Sequence, residues 1–168
     1  LAARSGCLSL DHTHHWRGEE TLRILLTTVF EFPHSGGLSS HMQILKSALE
    51  ERGHTVDVIS FSSLGVLRRR WLVQAPGFAL NKLSLGTGTY VQHMMRKSLI
   101  SAFIQREASR HRYDVINAQD IFATLAAIES GIPTVSTVHG YMADEAVSKG
   151  NLTAGSSSYM KIKARERE

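Results

Sequence analysis

Three short runs hold the residues whose types and order could do chemistry: Phe32-Pro33-His34-Ser35-Gly36-Gly37, Gln119-Asp120 and His139-Gly140. A Gly-Gly pair that leads into a helix lets the backbone approach a ligand closely and aims unpaired amides at it. The helix dipole adds a preference for negative charge, so a phosphate is the natural guest. The same pair also makes a tight strand-to-helix turn, and spacing alone leaves both readings open. The familiar nucleotide motifs are missing: the first turn is not G-x-G-x-x-G, and no G-x-x-x-x-G-K-[ST] occurs. Gly86-Thr87-Gly88 is a lone G-x-G with no strand before it and reads as a loop. Neither G-x-S-x-G nor H-E-x-x-H is present, which weakens hydrolase and zinc-protease readings. Cys7 with His12, His14 and His15 could hold a metal, but residues 1–20 lack any period and read as a loose, tag-like tail.

The elements that must position these runs alternate along the chain. Arg23 to Phe30 carries Ile24-Leu25-Leu26 and Val29-Phe30, a short apolar run typical of a strand buried on both faces. Ser39 or Ser40 can cap a helix whose Leu38, Met42, Leu45 and Leu49 form one stripe, and Gly53 supplies its left-handed stop. Val56 to Phe61 reads as a second strand, followed by an irregular stretch from Ser62 to Thr89. A long helix is expected from about Tyr90 to Arg110, with Val91, Met95, Leu99 and Phe103 on one side. Val115 to Ala118 is a third strand, Ile121 to Ile128 a helix closed by Gly131, and Thr134 to Val138 a fourth strand opened by Pro133. Thr153 to Ser158 is loop-like, and Tyr159 to Glu168 begins a charged helix. This alternation predicts an α/β domain over residues 21–168, a Rossmann-like, doubly wound parallel sheet. Such sheets bind ligands beyond the carboxyl ends of their strands, where all three chemical runs fall.

Composition narrows the class. The chain has 168 residues, 42% hydrophobic and 20% charged, with a net charge of +4. That is ordinary globular material with room for one core, which excludes a disordered or collagen-like chain. A single cysteine cannot pair within the chain, so no disulfide scaffold exists and a reducing, cytoplasmic setting is expected. No apolar run approaches the roughly 18 residues of a membrane span. The mildly basic balance permits an anionic partner without choosing one.

Four segments, in order and suitably spaced, resemble a known family. Phe32-Pro33-His34-Ser35-Gly36-Gly37-Leu38-Ser39-Ser40-His41 resembles the "PP-x-x-GG-x-x-x-H" opening of retaining glycosyltransferases of family 4. Glu51-Arg52-Gly53-His54-Thr55-Val56 resembles their "x-R-G-H-x-V" turn, and Tyr113 to Asp120 their "D-V-I-H-x-H-D". Gly131-Ile132-Pro133-Thr134-Val135-Ser136-Thr137-Val138-His139-Gly140 resembles "G-I-P-V-V-x-T-x-H-G". Asn117 and Gln119 depart from the pattern, standing where the family often has His.

The resemblance implies one half of a two-domain GT-B architecture and transfer of a sugar from a nucleotide-sugar donor to an acceptor. It implies retention at the anomeric carbon, with no cofactor and no essential metal. The part seen here would be the amino-terminal, acceptor-side domain, inactive alone, and a donor-binding domain would follow Glu168. By the same resemblance, Gly36 and Gly37 would lie against the donor diphosphate, and His139, with Gly140 after it, beside the transferred sugar. A His in a cleft can donate a hydrogen bond to a sugar hydroxyl or departing phosphate oxygen; its plain alternative is to cap a strand end. His41 divides between a structural bond and a ligand role, His54 reads as structural, and Asp120 can bind acceptor hydroxyls or cap the next helix.

Arg68-Arg69-Arg70-Trp71 sets three cations beside an aromatic, which fits either a solvated loop or a peripheral contact with anionic lipid at the inner membrane face. No nucleic-acid module or basic stripe appears. The alternative to a transferase is a non-catalytic module that binds a sugar phosphate, or half of a split transferase. A GT-B epimerase would not be expected to pair Gly-Gly with His-Gly, and a flavodoxin-like signalling domain would need an acidic cluster where Glu31 stands alone.

Overall fold

A computed structural model describes residues 21–168. The proposed tail and the Cys7, His12, His14, His15 group lie outside the described residues. The chain builds β1 (Arg23–Thr27), α1 (Gly37–Glu51), β2 (Thr55–Ile59), α2 (Val66–Arg69), α3 (Ala75–Leu83) and α4 (Thr87–Ala108). It continues with β3 (Val115–Ala118), α5 (Ile121–Ile128), β4 (Thr134–Ser136), α6 (Met142–Ser148) and α7 (Ser157–Arg165). The strands form one parallel sheet in the order β2-β1-β3-β4, with Leu26 opposite Val58 on one side and Asn117 on the other.

Side chains of β1 alternate between the two faces, as the strand period requires. Ile24 and Leu26 pack with Met42 and Val56, and Leu38, Leu45 and Leu49 of α1 close that layer. Leu25 faces the other way, into the larger core with Ile100 and Ile104 of α4, Ile116 of β3 and Phe122 of α5. Helices therefore cover both faces, and the domain is the Rossmann-like α/β fold read from the alternation. Between α1 and β2, Gly53 takes φ +85°, a left-handed stop for which glycine is the favoured residue. His54 is structural, its Nδ1 accepting the Leu22 amide at 3.3 Å.

Several expectations need correction. The stretch from Ser62 to Thr89 is mostly helical: α2 runs through a π-type turn (Arg70–Gln74) into α3. Its helical period is hidden because many of its apolar side chains face outward, including Leu67, Trp71, Phe78 and Leu83. Met95, Leu99 and Phe103 do share one side of α4, against Phe61, Leu64 and Val73, while Ile100 and Ile104 belong to the core under the sheet. Neither Ser39 nor Ser40 caps α1: the helix begins at Gly37, and Ser39 Oγ accepts the His34 amide at 3.0 Å. The short helix α6 lies in the span after His139 that carried no expected element. The final helix is no mere charged end, since Ile162 is fully buried in the main core.

Gly86-Thr87-Gly88 is the start of α4 and no loop. Oδ1 of Asn81, projecting from α3, accepts the amides of Gly86 and Thr89 at 3.1 and 3.2 Å and so caps the helix from outside. A Cβ on Gly88 would stand 1.8 Å from the carbonyl oxygen of Gly77, and one on Gly77 would stand 2.2 Å from Gln92. Both glycines are thus set by the close crossing of α3 over α4. Gly88→Ala should lower the free energy of unfolding by about 2–3 kcal/mol, because the obstacle is backbone and cannot rotate aside. Urea denaturation of the two proteins checks this, and equal midpoints would contradict the crossing.

Candidate functional site

β1 and β3 are neighbours whose connections leave in opposite directions, which opens a crevice at their carboxyl ends. A cavity of about 660 Å³ lies there, walled by the loop after β1, the start of α1, Gln119 and Asp120 after β3, and His139 to Met142 after β4. All three runs singled out by residue type meet at this one place.

The amino end of α1 forms one wall. Among the described residues no side chain caps α1, and its first turn carries no acidic residue. Its leading amides therefore keep their partial positive charge toward the cavity. A Cβ on Gly36 would meet the His34 ring at 2.7 Å, so that glycine admits a neighbouring side chain. Around Gly37 and Gly140 nothing described comes within 4 Å of such a Cβ, and both line the cavity. Packing within the chain thus accounts for Gly36 and leaves Gly37 open-faced.

His139 forms the opposite wall. Its Nε2 lies 3.0 Å from Oε1 of Gln119, whose own Nε2 donates to Oδ1 of Asn117. Thr137 Oγ1 also donates to that oxygen, at 3.3 Å. With Oε1 of Gln119 an acceptor, the shared proton belongs to Nε2 of His139. The ring of His41, on the exposed side of α1, meets His139 edge to face at 4.8 Å between centroids. Partial burial, and then the charge of His41, lower the pKa of His139, against a weaker opposing pull from Asp120. A neutral imidazole at pH 7 follows. The two departures from the family pattern, Asn117 and Gln119, are thus the residues that orient His139. Their spacing of two along extended chain, Asn117 in β3 and Gln119 just past its end, put both on the same side, and that was the available signal.

The basic segment is only partly as expected. Arg68 and Arg70 are exposed, as is Trp71 at 68%. Arg69 turns inward, pairing with Glu31 at 3.0 Å and lying over the Phe61 ring, so it is not one of the outward-facing cations. Lys82 and the exposed Val66, Leu67, Phe78 and Leu83 complete an apolar surface edged with cations on α2 and α3. Beside it runs an apolar groove of about 430 Å³ between Leu72 and the Tyr90–Leu99 side of α4. Among the described residues no helix is long and apolar enough to cross a membrane.

Asp120 is fully enclosed and caps α5. Its Oδ1 accepts the Ala123 amide at 2.8 Å, and Oδ2 accepts Thr28 Oγ1 at 2.8 Å and the Val29 amide at 2.9 Å. Burial raises its pKa, opposed by these donors. Both oxygens are held by the chain itself, so of the two roles open to Asp120 the cap is the one seen. Asp120→Asn keeps the shape but turns an amide nitrogen toward at least one of these donors. It should cost about 1–3 kcal/mol of stability, measured by thermal or urea unfolding, and an unchanged stability would contradict the assignment.

No curated protein matches the chain at a significant level. Residues 35–165 match the model of the Glycosyltransferase Family 4 domain, a stretch that runs from the α1 turn to the end of α7 and takes in most of the cavity wall. The chain belongs to glycosyltransferase family 4.

Proposed function

We propose that this chain is the acceptor-side domain of a retaining glycosyltransferase that moves a sugar from a nucleotide-sugar donor to an acceptor, and that a donor-binding domain completes its site. The supporting observation is the cavity between an uncapped helix start and a histidine oriented by Gln119. The donor diphosphate seats at Gly36 and Gly37, where free amides and the helix dipole meet its charge without a counter-ion. The transferred sugar then lies beside His139. Because Nε2–H is engaged by Gln119, Nδ1 is left to accept from a sugar hydroxyl, which reverses the donor role expected from sequence. Gly140 keeps the backbone next to His139 open to the same sugar. The reading needs no metal and no cofactor, since the helix and the histidine meet the charge and the hydroxyls. A non-catalytic module would bind the same groups, and turnover is what separates the two.

The kinetic test is direct. In the complete enzyme, His139→Ala should lower kcat at least about a hundredfold while moving Tm by less than about 2 °C, since the ring is exposed and bonded only at its edge. Gly37→Ala should leave the fold as stable or more so, because its methyl group meets nothing, yet should raise KM for the donor several-fold. Normal turnover in His139→Ala would remove that residue from the site.

The outward face of α2 and α3 supports a second element of the reading, contact with an anionic bilayer at the cytoplasmic face that brings the enzyme to a lipid acceptor. Exposed Trp71, Leu67, Phe78 and Leu83 supply apolar insertion, and Arg68, Arg70 and Lys82 supply charge attraction. Vesicles containing anionic lipid should carry the protein into the pellet at low salt. Leu67→Ser with Trp71→Ser should reduce the bound fraction several-fold, and failure of the unaltered chain to bind would sink this element.

A further inference from the structure

Next to the main cavity lies a smaller one of about 250 Å³, bounded by Phe30, by Gln92, His93 and Arg96 of α4, and by Glu145 and Lys149 at the α6 end. The two cavities share Phe30, Met142, Glu145 and Lys149 as walls, so they adjoin. The smaller one has an unusual polar inventory. Arg96 lies with its guanidinium 4.5 Å from the centre of the Phe61 ring, and its buried Nε has no hydrogen-bond partner among the described residues. No described carboxylate comes within ion-pair distance of Arg96: Glu31 and Asp120 act on it only through space, Glu31 is bound to Arg69, and Asp120 is enclosed by its own donors. His93 stacks on Phe122 with ring centres 5.1 Å apart, and its buried Nδ1 also has no partner among the described residues. Lys149 brings a second cation, held at 2.6 Å by Glu145. With Glu145 counted against Lys149, the charge of Arg96 is left without an ion-pair partner among the described residues.

A half-buried cation with no ion-pair partner is costly, and the polar cavity that it lines beside the candidate site gives a reason to keep it. We propose that this cavity recognises a phosphate group carried by the acceptor, seated on the guanidinium of Arg96 and the ammonium of Lys149. Arg96 comes from α4 and Lys149 from the end of α6, so the two cations reach the cavity from different elements. The shared wall places the rest of the acceptor in the main cavity, toward His139. Assignment to the acceptor rests on the transferase reading; binding of a phosphate does not.

Isothermal titration calorimetry of the full chain at low ionic strength tests this with glycerol 3-phosphate, inorganic phosphate and glycerol as probes. Glycerol 3-phosphate should bind and glycerol should not. Arg96→Gln should weaken glycerol 3-phosphate at least about tenfold, as loss of a charge-assisted contact implies. Lys149→Gln, which alters an exposed side chain and should fold normally, should weaken it about threefold. Undiminished affinity in Lys149→Gln together with a folded Arg96→Gln of normal affinity would overturn the site, as would a chain that binds neither phosphate. Binding of inorganic phosphate with exclusion of glycerol 3-phosphate would overturn the acceptor assignment and leave a site for the free anion. No nucleotide sugar enters these titrations, so their failure would leave the transferase reading standing, whereas normal turnover in His139→Ala would damage that reading and leave the anion site intact.

Discussion

The carboxylate of Asp120 sits where β1, β3 and α5 meet, and it joins the end of one strand to the start of the helix that follows another. Three donors from two separate parts of the chain converge on its two oxygens. Parallel strands give no such tie by themselves, because their carboxyl ends leave into independent loops. This side chain adds to the backbone bond from the Gln119 amide to the Thr27 carbonyl, at 2.9 Å, in holding the ends of β1 and β3 together at the crevice. Everything that lines the main cavity hangs from this point: the turn to α1 leaves β1 just beyond it, and Gln119 precedes it directly.

On that frame, the site combines two walls of opposite mechanical character. The α1 start is backbone, held by a helix packed along its whole apolar stripe, and offers fixed dipoles. The His139 wall is a side chain on a loop, and it acquires direction only through the amide relay of Gln119 and Asn117. A rigid anion-binding face opposite an orientable hydrogen-bonding face suits a ligand with a charged end and a hydroxylated end.

Much of this was legible in the residues. Short apolar runs separated by helical stripes identified the sheet, and placing Gly36-Gly37, Gln119-Asp120 and His139-Gly140 at strand ends brought them together before any coordinates did. What stayed hidden has physical causes. The segment of α2 and α3 is helical but exposes its large apolar side chains, so hydrophobic periodicity, which reports burial, read it as irregular. Gly86 and Gly88 are explained by a crossing helix and an asparagine from another element, and tertiary packing leaves no local pattern. Arg69 looks identical to Arg68 and Arg70 along the chain, and only Glu31, distant in sequence, tells it apart. The orienting role of Gln119 was masked in another way, because a departure from the family motif drew attention away from a residue that hydrogen-bonds the histidine.

The Gly77–Gly88 crossing also governs how the molecule behaves in dilute solution. With α3 pressed backbone to backbone onto α4, the helix has no freedom to roll and turn Phe78 and Leu83 inward. Its greasy side stays presented to solvent as a matter of geometry. In plain buffer such a surface makes the chain sticky toward itself and toward plastic, and excluded salts such as sulfate aggravate this by strengthening apolar association. Mild detergent, which shields exposed apolar side chains, is the rational additive for keeping the chain dispersed.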